Sequence, residues 1–378
     1  MMGDTDKPLI TAAMIKCNQV KRIFDLRTHN VRESGVELLR IVAMLMVLAI
    51  HANYWRIGVP SSADIEHGGG AVFVRILLQM LSSPCVDVFV IVSGYFSIRP
   101  KLKSVAGLWF LLAFWNFIAD VPYNLYATGH VNILMAVRHM VFPFVGWFIP
   151  AYLGLYLISP ILNAYALSCE RRTFARYLLL AFSLQFFFDI VYPRWSIFDH
   201  TIFNGGHSVL SFALLYLLGR FIRRYGERFE RIKSRHWFLF YIVVFTTWTS
   251  VRFLLLILGL PRQLTEYVMQ RGASYVNPLV ILGSLFLFFT FKSMKFSNST
   301  VNHIATSVLG VFCFQSLPFY EKVVKWAFSA HEGVSVLAID AGIIGFVYVA
   351  GTVIDQVRIA MWKIGYGVVA KFNNKVSV

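Results

Sequence analysis

Val36-Glu37-Leu38-Leu39-Arg40-Ile41-Val42-Ala43-Met44-Leu45-Met46-Val47-Leu48-Ala49-Ile50-His51-Ala52-Asn53 sets the fold class of this chain. Arg40 and His51 bracket an unbroken apolar stretch, Ile41 to Ile50. The run around them, 36–55, matches the roughly 20 residues that an α-helix needs to cross a hydrocarbon core of ~30 Å. Further runs of this kind follow at 74–98, 105–125, 147–167, 177–192, 206–222, 237–259, 276–291, 304–321 and 334–354. The weakest are 177–192, which is short, and 105–125, which carries Asn116 and Asp120. Composition agrees: 57% of residues are hydrophobic and 14% charged, against ~45–50% and ~25% in soluble domains. These values exclude both a soluble globular domain and a disordered chain. The fold class expected is an all-α integral membrane protein of about ten transmembrane helices.

The net charge is +16, from 35 Lys and Arg against 19 Asp and Glu. On a soluble domain such a charge points to nucleic acid. Here the basic residues gather in alternate gaps between apolar runs, as in Arg99, Lys101 and Lys103, in Arg171, Arg172 and Arg176, and in the series from Arg220 to Arg235. The intervening gaps are sparse in them, and cytoplasmic loops carry the excess of Lys and Arg. Both termini are therefore expected in the cytoplasm, the helix count is even, and nucleic acid is not an expected partner.

The organisation expected is a basic cytosolic extension over 1–35, one membrane domain over 36–360 and a cytosolic tail over 361–378. The extension is too long and mixed for a signal-peptide n-region, so the first helix should remain as an anchor. Within it, 9–27 mixes apolar and basic residues, as an interfacial helix or a plain basic tail would. No internal repeat is visible, which weighs against a transporter built from paired repeats. Cys17, Cys85, Cys169 and Cys313 are far apart with no C-x-x-C spacing, so free thiols are expected and no metal site.

Ionisable groups in membrane helices are costly, ~2.5–3.5 kcal/mol at the centre, and each is a functional candidate. Arg40 and His51 are eleven positions apart. At ~100° and ~1.5 Å per residue they return to within roughly 20° of one face, about 16 Å apart along the axis. An arginine at one mouth offers phosphate a permanently charged fork of donors. A histidine deeper in the same cavity can take a proton from a hydroxyl and return it to a leaving group. The alternative is that Arg40 and His51 snorkel to opposite headgroup layers. The second run contains Ser83-Pro84-Cys85-Val86-Asp87-Val88-Phe89-Val90-Ile91-Val92-Ser93-Gly94-Tyr95-Phe96. Asp87 needs a partner there, and Arg40 or His51 is the expected one. Ser93-Gly94 allows close helix contact and places a hydroxyl in the interior.

With these two segments the chain resembles the acyltransferase-3 family of integral-membrane acyltransferases. The Arg-x10-His of the first helix and the Val-Asp-x-Phe-x-x-x-Ser-Gly-Tyr of the second carry the resemblance. Weaker matches are Gly146-Trp147-Phe148-Ile149 through Tyr152 to Ser159-Pro160 and Asn163, and Asn204-Gly205-Gly206-His207-Ser208 leading to Tyr216 and Gly219-Arg220. Ser307-Val308-Leu309-Gly310 and Ile354-Asp355-Gln356-Val357-Arg358 complete them. The resemblance implies transfer of an acyl group, usually acetyl, from cytosolic acyl-CoA to a hydroxyl of a cell-envelope polysaccharide or its lipid-linked precursor, at the bacterial inner membrane. It implies a catalytic role for His51, donor handling by Arg40 and a supporting role for Asp87 and Ser93. Two positions depart from the family pattern. Gln315 stands where relatives of this subtype carry a histidine, and Val90 replaces a second phenylalanine after Phe89.

The site expected is therefore His51 and Asp87 for catalysis, Arg40, Arg99 and Lys101 for acetyl-CoA or another short acyl-CoA, and Ser93, Trp147 and Tyr152 for the acceptor. Trp147 and Tyr152 would face the outer surface, where an aromatic can stack on a sugar or simply join the interfacial belt. Asp189, Arg252 and Asp340 are further buried charges without an assigned partner. The sequon Asn298-Ser299-Thr300 falls on the expected cytosolic side and is discounted. The competing class is a proton-coupled transporter or flippase with His51 and Asp87 as a relay.

Overall fold

A computed structural model describes residues 33–130, 132–143, 146–191, 202–259, 267–268, 271–330 and 334–376. The stretch 9–27 lies outside them. The first membrane run folds as α1 (Ser34–Ile50), which widens into a π-helical turn over His51–Ile57. The second run is broken at Ser83-Pro84 into α2 (Ala63–Ser82) and α3 (Cys85–Phe96), because proline has no N–H to continue the ladder. The carbonyls at the break are met without it: Tyr241 of a neighbouring helix donates to that of Leu81, and Ser83 donates to that of Met80 through its N–H at 3.3 Å and its Oγ at 2.7 Å. In lipid such groups must be satisfied by protein.

There follow α4 (Leu102–Thr128), α5 (Ile133–Val141), α6 (Phe148–Ser168), α7 (Arg171–Phe186), α8 (Val209–Tyr225), α9 (Ser234–Ile257) and α10 (Pro278–Lys292). The chain closes with α11 (Ser299–Ile304), α12 (Val308–Gln315), α13 (Pro318–Ala330) and α14 (Val334–Val376). No strand occurs among the described residues.

Among the described residues, seven helical stretches are long and apolar enough to cross a membrane: Ser34–Tyr54, Gly68–Phe96, Leu102–Ala119, Phe148–Ser168, Arg171–Val191, Ser234–Ile257 and Leu337–Val368. The expected runs 206–222, 276–291 and 304–321 are also helical, but α8 has 17 residues and α10 has 15. The run 304–321 is divided among α11, α12 and α13. The last helix exceeds its expected bounds, continuing without a break through most of 361–378. The exposed surface is apolar along α6 (Leu157, Ile161), α9 (Leu239, Val243) and α14 (Phe346, Val353), as a lipid-facing surface requires. Cys85, Cys169 and Cys313 are free thiols.

Helix contacts inside are close where small residues allow it. A Cβ on Gly94 would strike the Tyr216 carbonyl oxygen, and one on Gly219 the Ile91 carbonyl oxygen. Membrane helices associate largely by this kind of packing, since burial from lipid supplies little force. The Gly94 and Gly219 notches lock α3 against α8, which positions Ser93 and Tyr216.

Candidate active site

His51 lies at the point where α1 passes from α to π geometry, a distortion frequent at functional sites. Its Nδ1 is 2.7 Å from Gln315 Oε1 on α12, 264 positions away in sequence. The surrounding bonds fix the proton. Ser316 Oγ donates its single proton to the Phe312 carbonyl at 3.0 Å, so it accepts from Gln315 Nε2, also at 3.0 Å. The other end of the amide, Oε1, then faces His51 and can only accept. Nδ1 carries the imidazole proton, and Nε2 carries the lone pair. Gln315 is buried, and Tyr320 of α13 donates to the Leu48 carbonyl at 3.0 Å, fastening the turn before His51. Just beyond, Asn53 Nδ2 donates to the Arg75 carbonyl at 2.8 Å and Arg75 Nε donates to Asn53 Oδ1 at 3.1 Å. The π turn is thereby tied to α2.

Arg40 pairs with Glu37 one turn earlier on the same helix, at 2.9 Å, with its side chain about a third exposed. Tyr152 of α6 and Tyr348 of α14 lie within electrostatic reach of its guanidinium. The Tyr348 hydroxyl is buried with no hydrogen-bond partner among the described residues. Ser93 Oγ donates to the Phe89 carbonyl at 2.8 Å and so accepts from the Tyr152 hydroxyl at 3.1 Å. Arg40, Tyr152 and Ser93, assigned separately from sequence, are thus brought to one place.

Asp87 is not brought to Arg40 or His51. Arg40 takes Glu37, His51 takes Gln315, and both carboxyl oxygens of Asp87 are buried without a partner among the described residues. It sits in the first turn of α3, directly after the proline break, with Cys85 and Tyr275 as its ionisable neighbours. An eleven-residue helical repeat can be read from a sequence; which helix faces Asp87 cannot.

Trp147 is half-buried, with one side packed on other rings. Its ring lies 4.2 Å from that of His207 and about 6 Å from those of Phe212 and Tyr275, centroid to centroid. The turn that supplies His207 is built by left-handed backbone at Asn204, Gly205 and Gly206, conformations that glycine and asparagine favour. Asp189, which had no assigned partner, accepts from the Gly205 N–H at 3.0 Å and holds this turn. His207 Nδ1 donates to the Asn204 carbonyl at 2.9 Å, and burial lowers its pKa. Arg252 contacts the Met80 sulfur and lies near Tyr54, while Asp340 lies within reach of Arg75.

Arg99 and Lys101 are exposed on the loop after α3. Tyr216 donates to Asn163 Oδ1 at 2.7 Å, the Ile98 N–H donates to the Tyr216 hydroxyl at 3.0 Å, and the Lys101 N–H donates to Tyr156 at 2.7 Å. The loop is therefore fixed while its cationic heads stay accessible. Asn298 caps α11 through its side chain, accepting from the Val301 N–H at 3.0 Å. No group of three metal-ligating side chains occurs among the described residues.

Gln315 and Ser316 were not singled out as site residues by sequence. The only signal was the replacement of an expected histidine, which did not reveal that this position touches His51. No curated protein and no solved structure matches the chain. A family model described as an acyltransferase domain, that of acyltransferase-3, matches residues 33–354 and so takes in every helix that supplies Arg40, His51, Ser93, Tyr152 and Gln315. The chain is a multi-pass membrane protein belonging to the acyltransferase-3 family.

Proposed function

We propose that this protein is an O-acyltransferase of the bacterial inner membrane. It moves an acetyl or other short acyl group from cytosolic acyl-CoA to a hydroxyl of an envelope polysaccharide or its lipid-linked precursor. The observation that carries the proposal is the hydrogen bond from His51 Nδ1 to Gln315 Oε1. A proton held on Nδ1 makes Nε2 the basic nitrogen of the neutral ring, the atom that takes a proton from an acceptor hydroxyl in this reading. A neutral amide orients the ring without adding the negative charge that a carboxylate would supply.

In the step proposed, the acceptor oxygen attacks the thioester carbonyl as Nε2 takes its proton. The ester C–O bond forms, the C–S bond breaks, and the thiolate leaves with the proton that Nε2 returns. Arg40 meets donor phosphate as a fixed cation, and the Tyr152–Ser93 pair lies within electrostatic reach of it. The termini and the Arg40 end of α1 then belong to the cytosolic side, in keeping with the distribution of basic loops.

The test uses the full chain in proteoliposomes with radiolabelled acetyl-CoA inside and mass analysis of the glycan acceptor. His51→Ala should insert normally and lose transfer by 10²-fold or more, the range typical for a general base. Gln315→Leu should lower transfer less, and Gln315→Glu should retain more of it than Gln315→Leu. Full transfer by His51→Ala overturns the assignment. Gradient-dependent movement of an unmodified glycan would establish the transporter class instead.

A further inference from the structure

The π turn His51–Ile57 is held at both of its ends by buried side chains of other helices. At its entry, Tyr320 of α13 donates to the Leu48 carbonyl at 3.0 Å, and Tyr320 is wholly buried. Along the turn, Asn53 and Arg75 exchange two bonds: Asn53 Nδ2 donates to the Arg75 carbonyl at 2.8 Å, and Arg75 Nε donates to Asn53 Oδ1 at 3.1 Å. At the exit, a terminal guanidinium nitrogen of the same Arg75 donates to the Gly58 carbonyl. The Gly58 N–H closes the turn by donating to the Asn53 carbonyl at 3.3 Å. One arginine of α2 therefore bridges Asn53 and Gly58, and one tyrosine of α13 fixes the approach to the turn.

Closing each bond over five residues instead of four is a rare geometry, met chiefly as single turns and often at functional sites. The exit carries a conformational cost as well. Gly58 stands at φ 107° and ψ 164°, a region essentially reserved for glycine, although a Cβ there would meet no neighbouring atom within 4 Å. Backbone conformation, not space, requires glycine at this position. A buried arginine in a membrane helix is expensive, and Arg75 directs two of its three guanidinium nitrogens at this single turn. The turn begins with His51. The corner between α12 and α13 that supplies Tyr320 also supplies Gln315, whose Oε1 accepts from His51 Nδ1 at 2.7 Å. The same corner thus holds both the imidazole and the backbone that leads to it. A general base must meet its proton within ~2.6–3.2 Å, and a displacement of about 1 Å can cost ~10²-fold in rate.

We propose that Tyr320 and Arg75 are positioning residues for acyl transfer: they hold the π turn, and through it aim His51 Nε2 at the acceptor hydroxyl, without touching the reacting atoms. The role in transfer rests on the acyl-CoA reading above; the clamp on the turn does not. Tyr241 of α9 supplies the comparison with ordinary tertiary stitching. It too is a buried tyrosine that donates to a membrane-helix carbonyl, but to that of Leu81 at the break between α2 and α3.

The experiment uses the full chain in nanodiscs and compares wild type with Tyr320→Phe, Arg75→Gln, Gly58→Ala and Tyr241→Phe. Nitrogen-15 spectra of histidine-labelled protein, with the His51 signals assigned by their loss in His51→Ala, read the tautomer without any transfer. Hydrogen exchange of the amides over 51–58 reads the turn. Wild type should show His51 with its proton on Nδ1 alone. Tyr320→Phe and Gly58→Ala should show a mixture of tautomers, with exchange over 51–58 faster by about tenfold or more. In transfer assays the same variants should lower kcat by about tenfold to a hundredfold, with the KM for acetyl-CoA unchanged. Tyr241→Phe should lose thermal stability as Tyr320→Phe does, yet keep the wild-type tautomer and kcat. Arg75→Gln should follow Tyr320→Phe; where it does not fold, Tyr320→Phe and Gly58→Ala, each a change of one small group, carry the test. Wild-type tautomer and exchange in both of these variants overturn the clamp. A disturbed turn with unchanged kcat, or an equal loss of kcat in Tyr241→Phe, overturns the positioning role. If wild type transfers no acyl group, the acyl-CoA reading and the positioning role fall together, while the spectra and the exchange still decide the clamp.

Discussion

Asp87 and Asp355 are both fully buried carboxylates in apolar helices, and only one of them is paired. Asp355 of α14 accepts from Arg358 Nε at 2.6 Å and from a terminal guanidinium nitrogen of Arg358 at 3.1 Å, with Trp115 Nε1 of α4 at 3.4 Å. Gly310 of α12 leaves room for its carboxyl, because a Cβ there would collide with it. This clamp joins three helices and is complete within the protein. Asp87 has the same burial and no hydrogen bond among the described residues. Burial of a charge therefore does not by itself separate structure from function; the presence of a partner does. A satisfied pair holds the fold, and an unsatisfied carboxyl is a group that the fold tolerates for another reason.

Asp355→Ala should have the largest effect on stability. Breaking a buried pair leaves Arg358 uncompensated and costs about 3–5 kcal/mol, measurable as a large fall in the thermal midpoint of the purified protein in detergent. Loss of less than about 1 kcal/mol would dissolve the contrast with Asp87. Asp87→Asn keeps the shape and removes no described partner, so its stability cost should stay under ~1 kcal/mol. Any effect should appear in acyl transfer instead, and a midpoint shift as large as that of Asp355→Ala would reveal a structural partner. Glu37→Gln should have the smallest effect. Glu37–Arg40 has the same i,i+3 spacing as Asp355–Arg358 but is partly exposed, where such pairs contribute only ~0.2–0.5 kcal/mol. An equal cost for the two pairs would show that spacing, not burial, governs them.

Much of this was legible along the chain. Hydropathy marks every region that folds as a long apolar helix, and the match of Arg40 and His51 to one helix follows from spacing alone. The second run, 74–98, was expected as one helix and is broken at Ser83-Pro84. The expected run 304–321 was less well read, because a sum of apolar residues does not register the short helices and the turn that divide it. Trp147, expected at a surface, is half-buried with its ring against those of His207 and Tyr275. Its partners are supplied by segments distant in sequence, and aromatic residues look alike in a sequence whether they cap an interface or fill a core.

The sequence by itself determined the class of solvent this protein lives in and the long apolar helices that follow from it. Each depends on local hydropathy and on backbone hydrogen bonds between residues a few positions apart. Tertiary structure alone decided that Gln315 orients His51, that Tyr152 meets Ser93 within electrostatic reach of Arg40, and that Asp87 takes neither expected partner. The physical reason is that helices in lipid are sorted by the fit of small-residue notches such as Gly94 on Tyr216 and Gly310 on Asp355, and such fit is a property of two surfaces at once.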